Sequence, residues 1–489
     1  MTNNDIVQKL WNLCDVLRDD GINYSDYVTE LALLLFIKME HEVRETNTTN
    51  GILNKHALPE YARWKKLSGL SGINLLNHYR ETLLNLSKST DPLISAIYAD
   101  AQTRLREPRH LEQLIKSLDS IDWFSAKRDG LGDLYEGLLE KNAGETKSGA
   151  GQYFTPRPLI DSIIHLVKPQ PRETIQDPAA GTAGFLIAAD AYIRGNTDNL
   201  YDLKTKDQEF QRTKAYIGME LVPGTRRLAL MNCLLHGMEG DEQGVVHLGN
   251  TLGSAGTTLP KTHICLSNPP FGTAKGGGGP TRDDLTFSTG NKQLAFLQHI
   301  YRHLKDGGRA AVVLPDNVLF EAGVGADIRR DLMDKCKLHT ILRLPTGIFY
   351  AQGVKTNVLF FTKVSDKAIG STKNVWVYDM RANMPKFGKR TPFTRSYFTE
   401  FEKTYGDDPL GNGERVDQGE AGRFRCFSRE WIAGRSHSLD IAWLKDESAE
   451  DAADLPEPAV LAQEAMTELE AALSELQGIL AELGEEVAE

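Results

Sequence analysis

"TIQDPAAGTAGFLIAA", residues 174–189, joins a short apolar strand to a helix through a turn of small residues. Gly181 and Gly184 let the backbone turn tightly and let a ligand come close, and Ala183 adds only one methyl group to that approach. The turn by itself is compatible with a bound dinucleotide, a bound phosphate or no ligand. It lacks the GxGxxG pattern, which disfavours a nicotinamide dinucleotide. The stretch therefore predicts one strand–turn–helix unit of an α/β fold.

Short strand-like runs alternate with helical ones from residue 147 to about residue 365. After the first strand they read "AYIGMEL", "VVHL", "HICL", "RAAVVLP", "HTILRLP" and "NVLFFTK". Such alternation is typical of a doubly wound, mostly parallel sheet with helices on both faces. The last two runs are joined without a helix, so they can form an antiparallel pair. We predict an α/β protein whose sheet has seven strands.

Three further strand ends carry polar or stiff residues. Glu220 ends the second strand and can accept hydrogen bonds from two ribose hydroxyls. Asn250 follows the third strand, where its amide can pair with the edge of an adenine ring. The fourth strand runs into "SNPPFG", residues 267–272, and stops there because proline cannot donate to a sheet ladder. Since the carboxyl ends of parallel strands share one edge of a sheet, these groups and the glycine turn are predicted to form one site.

A glycine-rich segment, residues 272–291, follows the rigid shelf that "NPPF" forms. Four consecutive glycines hold a single conformation only at a high entropic cost, so a mobile loop is predicted beside the shelf. The loop is either a lid over the site or an idle part of the surface.

The regions on either side of the α/β part have different patterns. Residues 1–146 have apolar side chains three and four apart and few β-branched clusters, which predicts a helical N-terminal domain. The α/β domain is predicted over 147–390 and an irregular region over 391–455. Residues 456–489 are predicted to form an acidic heptad helix that docks on another subunit or packs on this chain's own helical domain. The seam positions are Ala462, Met466, Leu469, Leu473, Leu476, Leu480 and Leu483.

The composition is that of an ordinary globular protein, with 40% hydrophobic and 25% charged residues. The net charge of −11 arises at the C-terminus: 14 of the 67 acidic residues and none of the 56 basic ones lie after Lys445, which leaves 53 acidic residues elsewhere. The rest of the chain is nearly neutral and lacks the strong positive charge typical of nucleic-acid-binding proteins. We therefore expect another chain to share in any binding of nucleic acid.

The cysteine pattern and the absence of long apolar runs indicate where the protein is expected to work. Five scattered cysteines without a CxxC pair predict neither a metal site nor a disulfide framework. With no signal peptide and no long apolar run, a cytoplasmic protein without membrane contact is expected.

Taken together, the motifs resemble those of the S-adenosylmethionine-dependent amino-methyltransferases of DNA, which carry a [DNS]PP[YF] motif. More closely, the chain resembles HsdM, the modification subunit of type I restriction–modification systems. The likeness covers most of the chain, includes the N-terminal "VQKLWNLCDVLRDDGINYSDYVTELALLLFIKM" and is weakest over 366–445. It implies the S-adenosylmethionine-dependent methyltransferase fold. The other segments that carry it are "GAGQYFTPRPLI", "DPAAGTAGFL", "IGMEL", "GNTLG", "NPPFG" and "LPTGIFYAQGVKTNVLFF".

The resemblance implies a role for each residue of the predicted site. Glu220 would hold the ribose of S-adenosylmethionine and Asn250 its adenine, although many relatives have Asp at the second position and often Gly in place of Ala183. The catalytic residues would be Asn268, Pro269, Pro270 and Phe271. The residues around the methionine end of the cofactor would be Gln152, Tyr153, Phe154, Thr155, Pro156 and Arg157. The residues of the turn beneath it would be Asp177, Gly181, Thr182, Ala183 and Gly184.

The expected reaction is methyl transfer to the N6 amino group of an adenine flipped out of the duplex. The lone pair of this nitrogen is delocalised into the ring and must be localised before it can attack. The side-chain oxygen of Asn268 and the backbone carbonyl of Pro269 can accept the two amino hydrogens, and the prolines hold these acceptors rigid. Phe271 offers a face on which the base can stack. Cys265 is predicted to be a core residue.

The sequence shows no target-recognition module, helix-turn-helix or basic helix, so such an enzyme needs a separate subunit that recognises the target DNA sequence. The resemblance implies double-stranded DNA as substrate, two copies of this chain per specificity subunit HsdS, and the nuclease subunit HsdR for restriction. The alternatives are methylation of a protein glutamine, methylation of cytosine N4, and a non-catalytic assembly role. Asn268 in place of Ser at the first motif position disfavours the cytosine reaction. The DNA sequence that is methylated cannot be read from this chain.

Overall fold

The computed structural model describes residues 3–22, 26–45, 55–121, 123, 131–145, 155–271, 280–349, 355–385, 387 and 391–444. Among the described residues before the first strand, at Ile175, the regular elements are helices joined by loops and turns. The helices of this part are α1 (Asn3–Asn12), α2 (Cys14–Asp19), α3 (Tyr27–Glu45), α4 (Trp64–Ser68), α5 (Gly72–Leu86), α6 (Pro92–Tyr98), α7 (Pro108–Asp119), α8 (Leu131–Glu145) and α9 (Arg157–Val167).

The local sequence explains how these helices begin and which face they bury. At the start of α6, the Asp91 side chain accepts hydrogen bonds from the backbone N–H groups of Leu93 and Ile94. Pro92 occupies the first helical position, where a backbone donor is not needed. In α7, apolar residues three and four apart place one stripe against the core. The buried residues of α7 are His110, Leu111, Leu114, Ile115 and Leu118.

The strands form one nine-stranded sheet. Their bounds are β1 (Ile175–Asp177), β2 (Tyr216–Glu220), β3 (Val246–Leu248), β4 (Thr262–Ser267), β5 (Leu304–Pro315), β6 (Cys336–Arg343), β7 (Thr356–Lys363), β8 (Asn374–Asp379) and β9 (Phe424–Ser428). The order across the sheet is β3-β2-β1-β4-β5-β7-β6-β8-β9. Neighbouring strands are parallel except that β7 is antiparallel to β5 and β6, and β9 is antiparallel to β8.

Helices connect the strands and follow them on both faces of the sheet. They are α10 (Gly184–Gly195), α11 (Thr205–Thr213), α12 (Pro223–Leu235), α13 (Lys292–Arg302), α14 (Asn317–Phe320), α15 (Val324–Lys335), α16 (Thr399–Tyr405) and α17 (Arg429–Ala433). Within the described ranges, we find no helix with both the length and the apolar character needed to cross a bilayer.

The α/β class and the seven predicted strands are confirmed, including the antiparallel arrangement of β7. The sheet continues by two strands, because β8 pairs with β6 and β9 pairs with β8. The prediction of an irregular region over 391–455 is therefore wrong for β9. β9, "FRCFS", is short and lies at the sheet edge, and its buried phenylalanines, Phe424 and Phe427, are three residues apart with a partly exposed Arg and Cys between them. Such a segment gives only a weak period-two signal.

Two hydrophobic cores lie on opposite faces of the sheet. In β4, the side chains of Ile264 and Leu266 join one core and that of Cys265 joins the other. In β5, the side chain of Val313 joins the first core and that of Val312 joins the second. A sheet covered on both faces is the doubly wound arrangement that the sequence predicts. Cys265 is 1% exposed, which confirms it as a core residue.

The N-terminal helices share the first of these cores and do not fold around a separate one. The Tyr135 hydroxyl of α8 donates to the Met231 sulfur of α12 at 3.5 Å. Arg227, also on α12, donates to the Ile97 carbonyl at 2.8 Å. The Asn232 amide of the same helix donates to the carbonyl oxygen of Thr182, in the glycine turn, at 3.1 Å. The helical region therefore braces α12, and α12 braces the turn.

Candidate active site

The ends of β1, β2 and β4 meet at one edge of the sheet, as predicted. The Glu220 carboxylate, at the end of β2, accepts a hydrogen bond from the backbone N–H of Gly181 at 3.1 Å. The Ser267 hydroxyl, at the end of β4, donates to the Asp177 carboxylate, at the end of β1, at 2.7 Å. The glycine turn, the carboxylate of Glu220 and the shelf that begins at Asn268 thus lie side by side.

The turn between β1 and α10 has left-handed backbone at two positions. Gly181 has φ of 54° and Ala183 has φ of 71°. An alanine in this region costs about 1 kcal/mol more than a glycine would. The Ala183 side chain is fully buried in the core, so its methyl group does not narrow the outer side of the turn.

Asp177 is a buried carboxyl group that connects the turn to the shelf. One of its oxygens accepts hydrogen bonds from the Ala179 N–H at 3.0 Å and from the Ser267 hydroxyl at 2.7 Å. Burial raises the pKa of Asp177 to about 7, and these two hydrogen bonds oppose the shift. Sequence reasoning assigned Asp177 to the turn but missed Ser267, whose only sequence signal is that it precedes "NPPF".

The raised pKa of Asp177 predicts a pH dependence of stability. The folded chain keeps this proton at pH values where the unfolded chain has lost it, so the stability of the wild type should fall as the pH rises from about 4 to about 7. The slope from this one group is at most about 1.4 kcal/mol per pH unit. Asp177→Asn should remove that slope, as measured by urea unfolding between pH 5 and pH 8. The exposed Asp202→Asn is the matched control, and equal slopes in wild type and Asp177→Asn would contradict the prediction.

Glu220 is oriented by the backbone on either side of it. One carboxylate oxygen accepts from Gly181 N–H, and the other accepts from Val222 N–H at 2.8 Å. Burial raises the pKa of Glu220, and the backbone hydrogen bonds oppose the shift. Each carboxylate oxygen has two lone pairs, so the group retains some capacity to accept hydrogen bonds from a ligand. A diol such as ribose matches that capacity.

Asn250 is an exposed residue two positions after the end of β3, followed by buried residues. Its side-chain oxygen accepts a hydrogen bond from the Leu252 N–H at 3.0 Å, which is an Asx-turn. The carbonyl of its amide therefore takes part in shaping the turn. Its role as the adenine reader stays a prediction.

The shelf is held from both of its sides. The Asn268 amide nitrogen donates to the Thr155 hydroxyl at 3.0 Å, and the Gln293 amide donates to the Pro270 carbonyl at 3.1 Å. Phe271 is half-buried and contacts Phe349 edge-to-face, with ring centroids 6.2 Å apart. Sequence reasoning missed Gln293, which lies in α13 and carries no motif signal.

The predicted methionine-end segment is only partly described. Gln152, Tyr153 and Phe154 lie outside the described residues, so their roles stay predictions. Thr155 reaches the shelf as described above. Arg157 forms ion pairs with Glu136 and Asp161, which commits its guanidinium to α8 and α9. Pro156 precedes α9 directly and is half-buried.

Three family models match the chain. The N-6 DNA Methylase model matches residues 126–450, the HsdM N-terminal domain matches residues 6–118, and the C-terminal domain of the type I restriction enzyme methylase subunit matches residues 455–488. The first of these spans more than half of the chain and includes the whole sheet.

Similar proteins agree with these matches. The EcoKI methylase subunit of Escherichia coli K12 is 55% identical over 99% of this chain and 96% of its own length. The crystal structure of the EcoKI M protein, EC 2.1.1.72, covers 99% of this chain and 97% of its own, with 50% identity and a TM-score of 0.58. A chain solved in work on complex assembly of the type I restriction–modification system covers 100% of both chains, with 25% identity and a TM-score of 0.72.

These matches favour the adenine reaction over the glutamine, cytosine and non-catalytic alternatives. The chain belongs to the N-6 DNA methylase family and is a DNA-methylating subunit of the type I restriction–modification kind.

Proposed function

We propose that this chain transfers the methyl group of S-adenosylmethionine to N6 of an adenine flipped out of duplex DNA, with Asn268 as the residue that activates the amino group. The observation that carries the proposal is the hydrogen-bonded path from turn to shelf. Ala179 and Ser267 meet on Asp177, and the next residue after Ser267 is Asn268, whose amide is held by Thr155. The donor turn and the acceptor shelf are thereby fixed relative to each other.

The turn and its neighbours fit S-adenosylmethionine. A Cβ atom on Gly181 would meet no atom within 4 Å, so there is open space beside the turn. Glu220 faces this turn and has the acceptors that a ribose needs. Leu221 and Leu248, which are 61% and 48% exposed, provide apolar surface near the ends of β2 and β3 for a flat ring. The bound cofactor would supply an electrophilic methyl group on a positively charged sulfur.

Asn268 is suited to localise the lone pair of the amino group. Its Nδ2 atom lies on the Thr155 side, so Oδ1 lies on the opposite side of the carboxamide. Oδ1 and the carbonyl of Pro269 would each accept one amino hydrogen, which shifts electron density onto N6 and aims its lone pair at the methyl carbon. Because the prolines and Thr155 fix these acceptors in advance, little reorganisation is needed during the reaction. As the bond between N6 and the methyl carbon formed, the bond from that carbon to sulfur would break with its electron pair left on sulfur, and N6 would then release its extra proton to solvent.

Phe271 would receive the flipped base. Stacking of a base on an aromatic ring contributes about 1–3 kcal/mol. Extrusion of a base from the duplex costs a few kcal/mol, so stacking and the contacts of the amino group can roughly offset it. The edge-to-face contact with Phe349 supports the ring of Phe271 from one side.

We assign the choice of DNA sequence to a separate subunit. The proposed assembly has two copies of this chain on one specificity subunit HsdS, with the nuclease subunit HsdR added for restriction. Residues 456–489 are proposed as the docking helix; they lie outside the described residues, and the match to the methylase C-terminal domain over 455–488 supports the assignment.

Deletion of residues 455–489 is expected to abolish co-purification with HsdS, because the apolar seam would be lost. The truncated chain should still bind S-adenosylmethionine, since no residue of the proposed site lies in the deleted part. Pull-down of tagged HsdS from cells that express both chains measures the effect. A matched control replaces Glu475, which lies off the seam, by Gln. Unchanged assembly of the truncated chain would overturn the docking role.

The proposed reaction is tested with the purified complex of this chain and HsdS. The complex is incubated with methyl-labelled S-adenosylmethionine and with duplex DNA from host cells that lack the gene for this chain. The modified nucleosides are then separated. The label is expected in N6-methyladenine at one recurring sequence. Label in N4-methylcytosine or in protein, or no label with a complex that binds the cofactor, would refute the proposal.

A further inference from the structure

Arg282 is a buried arginine in the segment that follows the catalytic shelf. The sequence predicts a mobile loop over residues 272–291. The structure differs for residues 280–291, which are held by hydrogen bonds and end at the Asn291 cap of α13. The side chain of Arg282 has no solvent exposure. Burying a guanidinium is costly unless it is fully paired, so its partners are informative.

The guanidinium of Arg282 joins three separate parts of the chain. Two of its nitrogens donate to the two carboxylate oxygens of Asp284, a bidentate pair. Nη1 lies 3.0 Å from the carbonyl oxygen of Thr251 and 3.1 Å from Nδ1 of His299. His299 is buried, and its pKa is held well below the usual value by burial, by His303 and by Arg282. The ring is therefore neutral and accepts at Nδ1.

Thr251 connects Arg282 to the proposed cofactor site. Thr251 follows Asn250, and its hydroxyl donates to the carbonyl oxygen of Pro178, in the turn after β1, at 2.6 Å. The backbone N–H of Thr281 donates to the Leu252 carbonyl at 2.9 Å. The segment from Thr281 to Asp284 therefore fastens the loop after β3 onto the turn after β1.

The atoms around the contact between Arg282 and the Thr251 carbonyl are closely packed. A Cβ atom on Gly256 would lie 1.9 Å from the Thr251 carbonyl oxygen and 2.6 Å from Nη1 of Arg282, so only glycine permits the approach. A small hydrophobic cluster, separate from the two main cores, lies at the same place. Its members are Leu252, Leu285, Ala295 and Phe296, with Ala179 of the turn packed against them.

We infer that Arg282 is a positioning residue for the cofactor: by holding the Thr251 carbonyl, it fixes the loop that carries Asn250 against the turn that begins at Pro178. The inference rests on the proposed function, because it takes that turn as the S-adenosylmethionine site. The side chain of Arg282 has no solvent exposure and is separated from the site by Thr251, so it acts through the loop. Its loss should weaken cofactor binding and leave the chemical step nearly intact.

The test compares Arg282→Met with Arg302→Met in the full-length chain. Arg302 lies at the end of α13 and contacts Thr286, which is outside the fastened loop. Isothermal titration with S-adenosylmethionine should show a Kd raised about tenfold for Arg282→Met and unchanged for Arg302→Met; tenfold corresponds to about 1.4 kcal/mol. In the complex with HsdS, KM for the cofactor should rise in parallel while kcat at saturating cofactor stays within about twofold.

Two further variants keep the inference testable if Arg282→Met does not fold. Thr251→Val removes the hydroxyl bond to Pro178 and should raise Kd in the same direction. Arg282→Lys should give an intermediate Kd, because a single ammonium nitrogen cannot replace the three guanidinium nitrogens that bond Asp284 and Thr251. An unchanged Kd in folded Arg282→Met, or in both of these variants, overturns the inference. A wild-type chain that does not bind S-adenosylmethionine would instead refute the proposed function, so the two failures are distinguishable.

Discussion

Asn268→Ala is expected to lower kcat for DNA methylation by about 10²–10³-fold, the range found when one fixed polar group is removed from a transition-state site. The substitution removes the proposed acceptor of an amino hydrogen, so the N6 lone pair stays delocalised in the ring. It leaves the turn, Glu220 and the Asp177–Ser267 hydrogen bond in place. Kd for S-adenosylmethionine should therefore stay within about twofold, which single-turnover methylation and cofactor titration can show together.

The control variants separate activation of the amino group from general damage. Asn196→Ala removes an exposed asparagine, just after α10, whose amide donates to the Tyr192 carbonyl of that helix, and it should leave kcat unchanged. Thr155→Val removes the acceptor that holds the Asn268 amide, whereas Thr155→Ser keeps a hydroxyl there. We expect a reduced kcat for the first and a nearly normal kcat for the second. If Asn268→Ala methylated DNA at the wild-type rate, the mechanism proposed for the shelf would be wrong.

The position of the site could be predicted from the sequence because strand ends are locally encoded. "DPAAGTAGF" and "SNPPFG" each stop a strand with residues that cannot continue it, and parallel strands bring their ends to one edge whatever lies between them. The contact of Asp177 with Ser267 needs only this shared edge and the neighbouring positions of β1 and β4 in the sheet. The family resemblance added the roles of these residues, which the spacing alone left open.

Contacts that depend on distant side chains could not be predicted in this way. Arg282 follows four glycines and precedes two aspartates, a pattern typical of a solvated loop, yet it is buried between Thr251 and His299. Its partners are 31 and 17 residues away and share no period with it. The short strand β9 was missed for a related reason, since its place in the sheet is set by pairing with β8 and not by its own alternation.

Glu220→Ala is expected to raise Kd for S-adenosylmethionine by at least about 100-fold, because each hydrogen bond to a charged group contributes about 1.5–3 kcal/mol and the variant would lose both bonds proposed between Glu220 and the ribose. The same change also releases the Gly181 and Val222 N–H groups, which loosens the turn. Glu220→Gln keeps a side-chain oxygen and should give a smaller increase. Since Glu242 is exposed and lies outside the site, Glu242→Ala is the matched control.

The charge of Glu220 adds a pH dependence that a purely steric role would not produce. Burial raises its pKa in the free chain, and the ribose hydroxyls prefer the ionised carboxylate as acceptor. Cofactor affinity should therefore decrease as the pH falls through this raised pKa, and Glu220→Gln should flatten that part of the profile. Titrations of both chains between pH 5 and pH 8 measure the difference. Parallel profiles would mean that Glu220 shapes the turn through Gly181 and does not itself bind the ribose.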